Sequence, residues 1–231
     1  MNCNTSKQVR NFDILKGTGP MKKRILLLLV ALLLIAAPVM AIPFGFVDVP
    51  SDDNPGLDLS HNFSGDISSF NADQVLFTIY NNGPDISTIA KILFEYTPDD
   101  LLANGSFHAA NSTGGVGFHP AVNLTLPQGN NISFDADFGE DADKPAPDWG
   151  VNAGEQVSFL FDGVFNDVLS AMLGGNLRIG MHVINIGDLS DSYISEMPDD
   201  PPAAVPEPAT MILLGTGLVG IAGLSRRKLK K

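Results

Sequence analysis

The densest group of potential metal ligands in this sequence is an acidic run between Phe134 and Asp143. Five of its ten residues are Asp or Glu, and Ca²⁺ prefers about six to eight such oxygen ligands in flexible geometry. The spacing does not match an EF-hand loop, because the glycine and the terminal Glu of that loop are out of place. The alternative is a set of solvated charges on a strand and loop. The residues predicted to bind calcium are Asp135, Asp137, Asp141 and Asp143.

Other residues that could bind a metal are more scattered. A second, weaker acidic group precedes the first, and it consists of Asp48, Asp52, Asp53 and Asp58. The chain also has four histidines: His61, His108, His119 and His182. His108 and His119 flank a glycine-rich loop and could approach each other, but no third ligand stands at a recognisable spacing. His182 alternates with apolar neighbours and is expected on a strand, facing solvent.

The single tryptophan, Trp149, stands directly after a proline-rich segment and close to the acidic run. Two interpretations are open. An exposed indole beside carboxylates would form a stacking platform for a sugar ring. A buried indole would instead anchor two sheets to each other, and this second interpretation is the one that we favour, because large aromatic side chains dominate packed cores.

No motif for catalysis is present in the chain. It contains no Gly-x-Ser-x-Gly elbow, no His-Glu-x-x-His pair and no glycine-rich phosphate loop. Two carboxylates suffice for glycoside hydrolysis. Because the chain has many acids, their presence does not indicate a hydrolase. We therefore predict that the protein is not an enzyme, and a secreted polysaccharide hydrolase is the least supported of the alternatives.

Charge is distributed very unevenly along the chain. Of its 14 Lys and Arg residues, six lie at or before Arg24 and five at or after Arg226, which leaves Lys91, Lys144 and Arg178 between them. Of its 26 Asp and Glu residues, all but Asp13 and Glu207 lie in that middle part, so 24 acids face three bases. Such a body repels nucleic acid and attracts divalent cations. Nucleic-acid binding is excluded.

The apolar pattern of the body predicts short antiparallel strands. Period-two alternation, with loops rich in Gly, Asn, Pro and Asp between the runs, occurs at 75–80, 86–96, 132–138, 157–162 and 177–183. One short helix is expected over 165–173, ended by Gly174 and Gly175. Residues 42–204 are thus predicted to form an all-β domain, an antiparallel β-sandwich or jelly roll with one short helix.

The N-terminal part of the chain has the features of an export signal. A basic cluster, an apolar run of about a dozen residues and a small-residue exit follow Met21 in that order. We predict a signal peptide over residues 21–41 that signal peptidase cleaves after Ala41. Residues 1–20 are then an upstream extension of the true start. The lone cysteine, Cys3, lies in that extension, so the body has no disulfide.

The C-terminal part combines an apolar run with a basic end. Residues 211–224 are apolar and laced with glycine, and five Lys and Arg residues follow. As a helix this run spans about 21 Å, less than the roughly 30 Å of a bilayer core. The basic end would stay cytoplasmic by the positive-inside rule. These features predict a short membrane anchor whose N-terminal side is exported.

Three parts occur in order at the end of the chain: Pro206-Glu207-Pro208, the glycine-laced apolar run, and the basic tail. Together, over residues 205–231, they resemble the PEP-CTERM sorting signal of exported bacterial proteins. This resemblance implies recognition by an exosortase, a membrane-embedded protease, near Pro206, Glu207 and Pro208. It also implies release or transfer of the body to the cell surface, often in bacteria that make exopolysaccharide. It names no family for the body.

These observations together favour a structural or interaction protein of the cell surface, exopolysaccharide layer or biofilm matrix. In this interpretation the chain is held briefly in the inner membrane by its tail before it reaches the surface or the medium. The alternative is a calcium-dependent carbohydrate-binding module built from the acidic run and Trp149. In either case the predicted partners of the protein are signal peptidase and exosortase during export, and exopolysaccharide afterwards.

Overall fold

A computed structural model describes residues 41–50 and 58–198. The predicted upstream extension 1–20, nearly all of the predicted signal peptide 21–41 and the whole predicted sorting segment 205–231 lie outside the described residues. Within the described part the dominant structure is antiparallel β. The strands are β1 Ala41–Asp48, β2 Phe63–Asn71, β3 Gln74–Asn81, β4 Thr88–Tyr96, β5 Ala103–Phe107, β6 Phe118–Pro120, β7 Phe138–Ala142, β8 Val151–Asn152, β9 Glu155–Asp162, β10 Leu177–Ile186 and β11 Leu189–Glu196.

All of these strands belong to one sheet. Its order is β5-β9-β3-β2-β1-β11-β10-β4-β7-β6, with β8 paired to β4 beside β7. Every recorded pairing is antiparallel. A twisted sheet of this many strands curls rather than staying open. The two edge strands come together, since the rings of Phe107 in β5 and Phe118 in β6 lie 6.2 Å apart, and the sheet is nearly closed.

The curled sheet packs against itself around a core of aromatic rings. Phe77 of β3 and Phe94 of β4 are five strands apart in the sheet, yet their ring centroids lie 5.3 Å apart. Phe94 also contacts Phe161 of β9 at 4.8 Å. All three rings are almost completely buried. The predicted all-β architecture of sandwich type is confirmed, in the form of one continuous sheet whose halves face each other.

The short helix predicted over 165–173 is confirmed as Phe165–Leu173, and a four-residue helix, Ala146–Trp149, precedes it. We label the four-residue helix α1 and the longer one α2. Helix α2 buries Val168, Ala171 and Met172 and ends at Gly174, beyond which Gly175 adopts a φ of +71°. That left-handed conformation is readily available to glycine, which explains why the helix ends here.

One predicted strand is wrong. Residues 132–138 do not form a strand: a 3-10 turn covers Gly129–Ile132, irregular chain follows, and β7 begins only at Phe138. Ser133 has a φ of +50°, which interrupts an extended backbone. The alternation of apolar residues has another cause. Ile132, Phe134 and Ala136 pack onto a small cluster on the outer face of the sheet, formed by Val49, Leu93, Leu126 and Ile194.

Candidate functional site

The irregular segment that carries the first two predicted calcium ligands is fastened to the outer face of the sheet by one arginine. Arg178 of β10 donates from Nε to Glu95 of β4 at 2.6 Å. It also donates to the carbonyl oxygens of Ile132 and Ser133, at 3.1 and 2.9 Å, and its guanidinium lies 5.6 Å from the centroid of the Phe134 ring. Arg178 is therefore the clamp that holds this segment in place.

Asp135 and Asp137 are both drawn towards β4. The backbone N–H of Asp135 donates to Glu95 Oε1 at 3.2 Å, and the carboxylate of Asp137 accepts a hydrogen bond from the backbone N–H of Tyr96 at 2.8 Å. Burial, followed by the charges of Asp137 and Asp99, raises the pKa of Tyr96. The Asp137 carboxylate thus already satisfies a backbone donor of the sheet.

Asp141 and Asp143 have partners of their own. The Asp141 carboxylate lies 3.2 Å from Lys91 Nζ, and this amine also donates to the Asn123 carbonyl at 3.0 Å. Asp143 Oδ1 lies 2.8 Å from His119 Nδ1. The four predicted ligands are therefore divided among separate partners. Among the described residues, no group of three or more His, Cys, Asp or Glu side chains is arranged to hold a metal ion.

Two members of the weaker acidic group, Asp48 and Asp58, have pKa values shifted in opposite directions. Asp52 and Asp53 lie outside the described residues. Asp48 sits at the end of β1, and burial, followed by the charges of Asp191 and Asp58, raises its pKa to about 6. Asp58 behaves in the opposite way: hydrogen bonds from Ser60 lower its pKa. Asp48 is therefore an electrostatically strained acid, a property that depends on contacts distant in sequence.

Glu140 belongs to the acidic run but is not one of the four predicted calcium ligands. It is 2% exposed and lies on β7 between Phe138 and Ala142, which face the main core. Burial raises its pKa to about 7, against the opposing effects of His119 and of the Phe107 backbone N–H that donates to it. Its Oε2 finds no hydrogen-bond partner among the described residues. The alternation of Phe138, Glu140 and Ala142 was the signal in the sequence for this inward position.

Trp149 is 43% exposed at the end of α1, so the favoured interpretation of a buried anchor is wrong. Trp149 is the last residue of α1, a single turn that contacts β4. There Gly150, the next residue, is pressed against the backbone of Ile89, with room for no side chain. The indole lies beside Asp143, across Gly117. Trp149 is therefore an accessible aromatic side chain near Asp143 of the acidic run, as the stacking interpretation requires.

The histidines do not come together. His119 pairs with Asp143, as described above, and His61 lies 3.3 Å from Asp85 on the surface. His108 packs edge-on against Phe70 with 5.2 Å between ring centroids. His182 is on β10 as expected but half-buried, and burial lowers its pKa. The four histidines therefore lie in different environments, each with a different neighbouring residue.

A shallow cavity of about 480 Å³ lies elsewhere, between the loop after β4 and α2. Its lining is mixed and includes Asp100, Asp167 and the exposed Val164. None of the residues predicted to bind calcium or sugar borders it. The acidic run and Trp149 instead present open surface.

Comparison with known proteins identifies the C-terminal segment. Residues 204–228 match the PEP-CTERM protein-sorting motif. No curated protein and no solved structure gives a significant match to the chain. In residues 41–50 and 58–198, no helix is long and apolar enough to cross a membrane. The matched segment includes the predicted recognition residues Pro206, Glu207 and Pro208, and it marks an exported protein that is processed by exosortase.

Proposed function

We propose that this protein is a non-enzymatic structural or interaction component of the bacterial cell surface or extracellular matrix. In this proposal signal peptidase removes the segment that ends at Ala41. The C-terminal segment then holds the chain in the inner membrane until exosortase acts near Pro206-Glu207-Pro208. The sorting motif at residues 204–228 supports this route.

The observation that supports a structural role is the charge of the body. The middle of the chain has 24 acids and three bases, and the fold engages two of those bases in ion pairs. Lys91 lies 3.2 Å from Asp141, and Arg178 donates to Glu95 at 2.6 Å. Lys144 is the remaining base, and it is exposed. The surface is therefore strongly anionic, which favours solubility outside the cell and attraction of divalent cations.

Divalent cations held by this surface would bridge the body to acidic polymers of the envelope. Such bridging needs many loosely placed carboxylates rather than one coordinated ion, and the separate positions of Asp135, Asp137, Asp141 and Asp143 suit it. Calcium would then act as a diffuse counterion. A calcium-dependent carbohydrate-binding module remains the rival, and the exposed Trp149 favours its sugar-binding half.

The export route is tested by fractionating bacteria that have an exosortase and express the full chain. We expect the body on the surface or in the medium, and we expect replacement of Pro206, Glu207 and Pro208 by Ala to hold it in the membrane fraction. The matched control replaces Pro201 and Pro202, which lie outside the sorting motif, and should leave sorting unchanged. Surface delivery of the first variant at the normal level would refute the route.

The bridging role is tested on the same cells by washing them with EDTA. Removal of divalent cations should release the protein from the envelope, and millimolar Ca²⁺ or Mg²⁺ should restore its retention with similar effect. If EDTA releases none of the surface-held protein, cation bridging is wrong. Restoration by Ca²⁺ alone would instead indicate a specific calcium site and favour the rival.

A further inference from the structure

Trp149 and three neighbours form a compact surface that we call the Trp149 patch: Trp149, Gly117, Asp143 and His119. Gly117 joins its members through the backbone. The N–H of Gly117 donates to the carbonyl of Trp149 at 2.9 Å, and the N–H of Asp143 donates to the carbonyl of Gly117 at 2.9 Å. The residues that carry the indole and the carboxylate are thus both hydrogen-bonded to the backbone of Gly117.

The side chains of Asp143 and Trp149 both approach Gly117. A Cβ added there would lie 2.6 Å from Asp143 Oδ2 and 3.1 Å from Trp149 Cε3. Any other residue would separate the carboxylate from the indole or displace one of them. The absence of a side chain at this position therefore allows the aromatic surface and the acid to stand side by side.

The polar members of the patch are oriented and accessible. His119 Nδ1 lies 2.8 Å from Asp143 Oδ1, while 41% of the His119 side chain and 46% of the Asp143 side chain are exposed. This contact orients the imidazole against the carboxylate. Asp143 Oδ2 lies close to Gly117, as does the indole. One oxygen of the Asp143 carboxylate thus lies on the side of Gly117 where the accessible indole lies, and its other oxygen is paired with the imidazole.

A flat aromatic surface with hydrogen-bonding groups at its edge suits a particular kind of ligand. The C–H face of a pyranose ring is apolar and packs on an aromatic ring, while the hydroxyls around its rim need acceptors and donors. A charged acceptor gives the stronger hydrogen bonds. Where no divalent cation bridges the two, the net charge of the body disfavours acidic sugars, because 24 acids repel an anionic polymer.

We propose that the Trp149 patch binds neutral polysaccharide, with Trp149 stacking on a sugar ring while Asp143 and His119 bind its hydroxyls. This inference rests on the proposed function, since it names a matrix partner for the exported body. It requires no metal ion, because each contact uses the protein's own side chains. It therefore differs from a calcium-dependent module.

The chain offers its own probe for this proposal. Trp149 is the only tryptophan, so the tryptophan emission of the purified full-length chain reports on the patch alone. Hydroxyethyl cellulose, galactomannan and dextran are titrated separately in EDTA, and retardation in gels that contain the same polymers gives a second measurement. We expect a saturable change of emission and retardation with at least one of the three.

The variants separate binding from folding. Trp149→Ala should weaken retardation by about ten-fold or more, and Trp149→Phe by less, because it keeps a smaller ring. Asp143→Asn should weaken it by about three- to ten-fold. The matched control is Phe70→Ala, which removes another exposed aromatic ring, 46% exposed at the end of β2, and should bind normally. Circular dichroism confirms that each variant is folded.

Three results would overturn the proposal: no response to any of the three polymers, equal retardation of folded Trp149→Ala and the unaltered chain, or a response that appears only when Ca²⁺ is added. These failures are distinguishable from failure of the export route, since binding is measured on the purified chain. If the protein is sorted normally but does not bind neutral polysaccharide, the proposed function stands and the proposed role of the Trp149 patch is wrong.

Discussion

The buried acid Glu140 should make the protein less stable as the pH rises towards 8. Its pKa is raised from 4.5 to about 7 in the folded protein. Between these values the folded protein keeps the proton that the unfolded chain has lost, so the free energy of unfolding falls as the pH increases. A difference of about 2.5 pKa units corresponds to about 3 kcal/mol, at about 1.4 kcal/mol per unit.

Glu140→Gln should remove this loss. Its neutral amide resembles the protonated carboxyl and still offers an acceptor to the Phe107 N–H. Urea unfolding of the full-length chain would be followed at pH 5.5 and pH 8.5. Linkage between 4.5 and 7 predicts that the advantage of the variant grows by about 2 kcal/mol between these pH values. The strained Asp48 is present in both proteins, so its own pH dependence cancels.

The control for this experiment is Glu196→Gln, the same change at an exposed position at the end of β11. It should alter the free energy of unfolding little at either pH. The reasoning is refuted if Glu140→Gln and the unaltered chain keep the same difference at both pH values. It is also refuted if Glu140→Gln is the less stable protein at pH 8.5.

Three further changes on the sheet are each tested by urea unfolding. Gly180→Val should destabilise by about 1–3 kcal/mol, because a Cβ there would lie 2.8 Å from Leu126 Cδ2; an unchanged midpoint would contradict this packing. Arg178→Met should cost about 2 kcal/mol by leaving the Glu95 carboxylate without its positively charged partner, and a neutral result would refute the clamp. Asp48→Asn should stabilise above pH 6 and have no effect below pH 4; an equal gain at both would argue against its raised pKa.

Local pattern was enough to predict four of the strands, β3, β4, β9 and β10, and the helix α2. The strict alternation from Leu177 to Val183 predicted β10, and paired glycines after Leu173 predicted the end of α2. These features depend on backbone periodicity and on residues close in sequence. The same logic failed for residues 132–138, because alternation there serves a covering segment that a distant side chain, Arg178, fastens to the sheet.

The candidate sites depended more on distant contacts. The sequence showed that Asp141 and Asp143 are close along the chain, but it could not show that Lys91 and His119 pair with them separately. The exposure of Trp149 likewise depends on how α1 packs against β4, a strand distant in sequence. Such facts come from the order of strands in the sheet, which neither composition nor periodicity specifies.

The most direct test of the central claim is the intact mass of the protein recovered from the surface or medium of an exosortase-containing bacterium. Exosortase processing predicts a mature chain that begins at Ile42 and ends near Pro206-Glu207-Pro208, without the apolar run and basic tail. The same chain from a strain that lacks exosortase should keep Lys231. A surface protein that still ends at Lys231 in the competent strain would contradict the account.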